Sequence, residues 1–223
     1  MQKFDTTAPV TAELNIPAGR IQVVAADRTD TTVEVRPADP AKSRDVKAAE
    51  QLQVAFADGV LRIEAPAAAN RLLGSGSGSV EVTVQLPAGS RIEAKAAAAE
   101  FRGAGRLGDV TFDGGHGQVQ LDEADSVHLT GLDADIKVGR LNGPGRISTQ
   151  KGDLTVGEAV RGTLTLSTQM GDITVVAAPG VSASLDAGTG SGRIDNALKN
   201  ADATPELTVH ATTGHGDITA RSL

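Results

Sequence analysis

Gly152-Asp153-Leu154-Thr155-Val156, Gly171-Asp172-Ile173-Thr174-Val175 and Gly216-Asp217-Ile218-Thr219-Ala220 are one phrase written three times. Looser copies stand at Gly117-Gln118-Val119, Ala134-Asp135-Ile136 and Gly192-Arg193-Ile194. The apolar residue after each turn falls at 119, 136, 154, 173, 194 and 218, in steps of 17, 18, 19, 21 and 24 residues. Self-similarity at such a period marks an array of stacked units.

From about residue 100 each unit holds two short strands. The first pairs apolar residues at i and i+2: Val110/Phe112, Val127/Leu129, Leu164/Leu166 and Leu207/Val209, with Ile147 and Leu185 in the same place elsewhere. The second does likewise: Val119/Leu121, Ile136/Val138, Leu154/Val156 and Ile173/Val175. Alternation sends one residue of every two inward. Leu107, Leu141 and Val160 recur between units and fill a third corner. One such unit cannot bury its inner face alone, but stacking makes a continuous core and pairs the backbone in ladders. The predicted fold is all-β, a single-stranded parallel β-solenoid of about 17–24-residue coils. A right-handed winding follows from the crossover rule. The alternative is an antiparallel β-sandwich, which also has regular turn spacing.

Working outward, residues 1–66 read as a strand-rich segment, the first coils of the same solenoid. Strands are predicted at 10–16, 21–25 and 32–35. Asp39-Pro40 reads as a helix N-cap with Pro in the first turn, opening a helix over 40–51. Apolar alternation around Asp58-Gly59 predicts a hairpin. Residues 67–79, with Gly74 to Ser79 alternating Gly and Ser, read as a flexible loop. Residues 80–223 are the solenoid repeats. Leu14 to Ile21 and Val84 to Ile92 share a Pro-Ala-Gly turn, which extends the repeat toward the N-terminus.

The chain carries a net charge of −7 and four aromatic residues, all Phe. An acidic chain lacks the basic face that nucleic acid requires, and anionic lipid is disfavoured likewise. With no Cys there are no disulfides or thiolate metal sites. No apolar run reaches membrane-spanning length. Met1 to Pro9 lacks the apolar core of a signal peptide. The chain as given reads as cytoplasmic, or as a surface protein if a leader was trimmed.

The Gly-Asp pairs Gly152-Asp153, Gly171-Asp172 and Gly216-Asp217 read first as structural turns. Gly takes a positive φ and Asp bonds nearby amides. Thr149, Thr168 and Thr213 precede them and are expected to form hydroxyl ladders. Asp135, Asp153, Asp172 and Asp217 line one edge and are the calcium candidates. Arg140, Arg146, Lys151 and Arg161 are candidate counter-charges. His116 and His215 occupy matching turn positions, while His128 and His210 face outward. No catalytic set, cofactor site or metal site is assigned. Sugar-cleaving β-helices use paired carboxylates beside aromatic platforms, and this chain has no Trp or Tyr.

The strand-turn-strand units ending in Thr-x-x-Gly-Asp-Ile/Leu, with the Leu-Pro-Ala-Gly start before them, resemble a bacterial β-strand-repeat domain of unknown function, often labelled "putative adhesin". The likeness covers residues 80–223 well and 10–65 more weakly. It implies a β-solenoid and supplies no catalytic residues. The expected function is a non-enzymatic interaction or scaffold protein. An adhesin-like surface module and, after it, a carbohydrate-active enzyme are the alternatives. The last strand runs to the end of the sequence, so the C-terminal coil is expected to be uncapped and to meet a protein partner or a second copy.

Overall fold

The computed structural model describes residues 1–66, 78–200 and 204–223. The Gly/Ser loop expected over 67–79 lies almost wholly outside them. Among the described residues, eighteen strands form one mostly parallel sheet, and one helix packs against it. Among the described residues, antiparallel pairs occur only near the N-terminal end, so the stacked array replaces the sandwich alternative.

The strands in chain order are β1 (Gln2–Asp5), β2 (Thr11–Asn15), β3 (Ala18–Ala26), β4 (Asp30–Pro37), β5 (Gln53–Ala57), β6 (Val60–Glu64), β7 (Val80–Pro87) and β8 (Arg91–His116). Then follow β9 (Val119–Thr130), β10 (Ile136–Leu141), β11 (Gly145–Ser148), β12 (Leu154–Ala159), β13 (Gly162–Met170) and β14 (Ile173–Ala177). The last four are β15 (Ala183–Ser191), β16 (Ile194–Ala197), β17 (Leu207–His215) and β18 (Ile218–Ser222).

The residues after the repeated turn stack in one interior column. In-register pairs run Val82–Ile21–Phe101–Val119–Ile136–Leu154–Ile173–Ile218–Ile194. With about 4.8 Å per step the column is about 40 Å long. Across the core a second column runs Phe112–Leu129–Ile147–Leu166–Ala211–Ala187. Alternate residues along each strand point outward, which is why β7, β12 and β13 alternate between buried and half-buried.

Three sequence expectations shift in detail. Val209 and Ala211, not Leu207 and Val209, match Leu164 and Leu166. The larger Leu207 pulled the alignment two residues early. The third corner is Leu107–Ala124–Leu141–Ala159–Ala177, so Ala159 takes the place expected of Val160. Small residues fill it because Leu107 and Leu141 occupy the space between them. The two Pro-Ala-Gly turns are not equivalent. Gly19 pairs with Ala99 at the corner between β2 and β3, whereas Gly89 lies at the opposite corner, before β8.

Stacking order departs from chain order at both ends. The coil of β2 and β3 lies between the coil of β6 and β7 and the first turn of β8. The coil of β17 and β18 lies between β13 and β14 on one side and β15 and β16 on the other. This corrects the expectation of an uncapped C-terminal coil. The 207–222 coil is paired along both edges, and 183–197 is outermost.

At the N-terminal end, β5 and β6 form the expected hairpin, with Asp58 at φ 52° and Gly59 at φ 76°. Two successive positive φ values suit a two-residue turn between twisted strands. Strand β4 runs antiparallel to β7, and β1 to β4. Phe4 and Phe56 stack with centroids 5.1 Å apart. The helix α1 spans Ser43–Gln51, three residues later than predicted. Asp39 caps the preceding turn instead, its Oδ1 accepting the Ala41 N–H at 3.0 Å. That bond, with Lys42 beside it, lowers the Asp39 pKa. Asp45 on α1 is buried and accepts the Ser79 N–H at 3.0 Å, tying the helix to the strand it covers.

Candidate functional site

The repeated turns form one corner of the stack. Gly152 has φ 130° and Gly216 φ 145°. A Cβ on Gly152 would sit 2.2 Å from the Ala134 carbonyl oxygen, and one on Gly216 would sit 2.1 Å from that of Gly171. Glycine is required there twice over, by conformation and by the closeness of the neighbouring coil.

The aspartates that follow point along the stack. Asp135 Oδ1 accepts the Asp153 N–H at 2.9 Å, and Asp153 Oδ1 that of Asp172 at 2.8 Å. Asp172 Oδ1 accepts the Asp217 N–H at 2.7 Å, and Asp217 Oδ1 the Arg193 N–H at 2.8 Å. Each carboxylate thus satisfies a backbone donor in the next coil, a charge-assisted bond. The ladder ends at Arg193, which has no carboxylate to offer. Its guanidinium turns back to Asp217 Oδ2 at 3.5 Å. The structure therefore brings the four calcium candidates into one row. Each spends an oxygen on an amide, and among the described residues no three His, Cys, Asp or Glu side chains form a metal-sized group.

The threonines reach the opposite way, to the coil before. Thr168, Thr213 and Thr189 donate their hydroxyls to the carbonyls of Gly152, Gly171 and Gly216, at 3.2, 2.9 and 3.0 Å. Thr149 donates to the Lys151 carbonyl at 3.0 Å. The expected hydroxyl-to-hydroxyl ladder is replaced by hydroxyl-to-backbone bonds. Thr189 escaped the sequence reading because its turn lacks the Gly-Asp signature.

Of the expected counter-charges, Lys151 sits at the turn itself, just before Gly152, while Arg140, Arg146 and Arg161 lie away from the row. Arg140 contacts Glu158 and donates to Asn142 Oδ1, within a network that also holds Glu123 and Asp125. Nothing in the sequence marked this network, since its members on different coils are 17–19 residues apart and of mixed type. Toward the N-terminal end, Arg62 beside Glu13 and Arg20 beside Glu100 have raised pKa values, each led by the hydrogen bond to the glutamate. Asp30 is lowered to about 2 by its hydrogen bond to Arg28, then by Lys3.

The histidines do not converge. His116 and His215 share a register column through Asp133, Lys151 and Met170, four coils apart. His210 Nδ1 lies 3.2 Å from Asp186 Oδ2. His128 lines a shallow groove of about 340 Å³ with Arg91, Asp109, Ser126 and Arg146. A second groove of about 650 Å³ holds Lys95, Asp113 and His116, and a third of about 560 Å³ holds Arg161 and Glu206. Among the described residues, each of these three grooves is lined by one carboxylate.

A family model described as Toastrack DUF4097 matches residues 9–221. The chain belongs to the Toastrack family. This Toastrack chain is also similar to solved structures. One is a "putative adhesin" from Bacteroides fragilis NCTC 9343, at 14% identity and TM-score 0.49, covering 98% of this chain and 95% of that one. Another, a "putative adhesin" from Parabacteroides distasonis ATCC 8503, has 14% identity and TM-score 0.45, with coverages of 98% and 95%. A "putative cell adhesion protein" from Clostridium sporogenes ATCC 15579 has 12% identity and TM-score 0.39, with coverages of 100% and 99%. No curated protein matches the chain. Among the described residues, no helix is long and apolar enough to cross a membrane.

Proposed function

We propose that this Toastrack chain is a non-enzymatic interaction module, a rigid stack that presents flat outer faces to a protein partner. One observation carries the reading. The residues that look most like chemistry, the Gly-Asp turns and their threonines, are engaged with the backbone of the adjoining coils. Their role is architectural, and cation binding is not needed to hold the row together. What is left to the surroundings is the outward set. One row runs Thr111–His128–Arg146–Thr165–His210–Asp186 along the stack.

A photo-crosslinking residue at Arg146 or Thr165, installed in the producing cell, is expected to give a discrete protein adduct. The same probe at Asp153, within the turn ladder, is expected to give none. Equal labelling at all three positions, or no adduct at any, overturns the reading. The surface-binding version of this function differs in compartment. Recovery of the chain with the cell envelope supports it, and recovery in the cytosolic fraction supports the scaffold version. Residues 1–66 and 80–223 are proposed to unfold as one unit, because β2 and β3 are wedged between later coils.

A further inference from the structure

The two coils that hold β17 and β18 come from one uninterrupted stretch of chain. β13 and β14 form one wall, and the chain passes directly from β14 at Ala177 to β15 at Ala183 to form the other. Only after β16 does it return to fill the space between them. The slot is thus defined by residues 162–197, and its occupant, 207–222, arrives from outside.

The slot is selective. Its occupant needs two strands in parallel register, with Val209 and Ala211 inward against Leu164 and Leu166. It needs a glycine where Gly216 approaches the Gly171 carbonyl. It must offer an N–H to Asp172 Oδ1 and a carboxylate to the Arg193 N–H, as Asp217 does. It must also place a hydroxyl at the Gly171 carbonyl, as Thr213 does. The segment that meets every demand is this chain's own 207–222, and a second copy carries the same one.

The outer wall is also the part of the stack least held in place. β15 pairs with β17 and β16 with β18, and among the described residues no strand pairs with their other edges. All four residues of β16 are exposed. The wall that encloses β2 and β3 at the other end is braced by β4, β5 and α1. The connection from Leu198 to Glu206 is nine residues by sequence, so fully extended it spans about 30 Å.

We propose that the 207–222 coil is exchangeable, leaving its own slot to fill the same slot in a second copy and giving a reciprocal dimer. Every contact is then kept, with the partner's coil replacing the chain's own. Exchange of an identical element is a low-cost route to a dimer. The inference does not depend on the interaction reading above, and neither result decides the other.

The absence of Cys makes the test clean. Thr174 and Thr219 are in-register neighbours on the outer surface. Parallel neighbours lie within the Cα separation that a disulfide spans. Full-length chains carrying T174C alone and T219C alone are mixed, partly unfolded, refolded together at high concentration and oxidised. A T174C/T219C chain, refolded dilute, checks that the pair closes. A disulfide-linked heterodimer on a non-reducing gel is expected. Two folded chains that keep free thiols, while the double variant closes within itself, overturn the proposal. Light scattering of the natural chain after the same refolding should show a dimer that persists on dilution. A monomer at every concentration likewise overturns it.

Discussion

The two ends of the stack are built on the same plan and finished differently. At each end a coil is tucked one place in from the outermost coil. At the N-terminal end the outermost coil carries Leu61 and Ile63, both fully buried on the strand that antiparallel β5 flanks. At the other end the outermost coil carries Ile194, the last member of the interior column that starts at Val82, at 45% exposure. The first end is closed by structure, since antiparallel β4 and β5 do not present the pattern that another parallel coil needs. The second is closed by residue choice. Arg193 stands where the ladder wants Asp, and Asn196 stands in register with Ala220 and Val175. Asn196 Oδ1 accepts the Leu198 N–H at 3.1 Å, and Asp195 is exposed beside it. Charges and polar side chains on an edge discourage further pairing. A capped end and a merely discouraging end differ in how tightly they hold their coils.

Isoleucine truncations in the outermost coil of each end should show the largest contrast. Ile63→Ala is expected to cost about 2–5 kcal/mol in urea unfolding, because it leaves a cavity in a covered core. Ile194→Ala is expected to cost less than about 1 kcal/mol, since solvent already reaches the side chain. Equal costs would mean that the outer coil is covered after all. Next in size is the ladder itself. Asp172→Ala strands the Asp217 N–H and should cost about 1 kcal/mol, while Arg193→Ala removes an exposed ion pair and should cost under about 0.5 kcal/mol. Arg193→Asp sharpens the same point differently. It supplies the missing acceptor, so sedimentation should show stronger self-association than the natural chain without loss of thermal stability.

The smallest effect is confined to the N-terminal end. The Asp30 carboxyl is held at about 2 by Arg28 and Lys3. A carboxyl whose folded pKa lies below its unfolded value stabilises at pH above the unfolded value, and that contribution is lost as pH falls through the folded one. The β1–β4 pairing should therefore loosen between about pH 4 and pH 2, seen as faster amide exchange at Phe4 and Thr31. In Asp30→Asn that part of the pH dependence should vanish.

From Val119 onward the stacked column was legible because every member is Val, Ile or Leu two residues after a small turn residue. The place of Ile21 between Val82 and Phe101, and the order of the last two members, were not. Coils 183–197 and 207–222 carry the same turn and nearly the same inward pattern, so either satisfies the face of 162–177. What separates them is the poorer coil's Arg193 and Asn196, which read as defects within a repeat and make sense only at an edge. The alanine corner at Ala124, Ala159 and Ala177 was equally silent, since alanine marks neither face. In the candidate site the residue types were readable, but their partners were not. Asp153 and Thr168 reach backbone atoms of a neighbouring coil, and local spacing carries no record of those. The Arg140–Glu158 network was hidden for the same reason.

The central claim is that coils pile up in parallel with the 207–222 coil inside the stack. Methyl NOE spectra of isoleucine-labelled protein test it most directly. The account predicts cross-peaks from Ile218 to both Ile173 and Ile194, and none between Ile173 and Ile194. A direct Ile173–Ile194 contact, with Ile218 beyond either one, would contradict it.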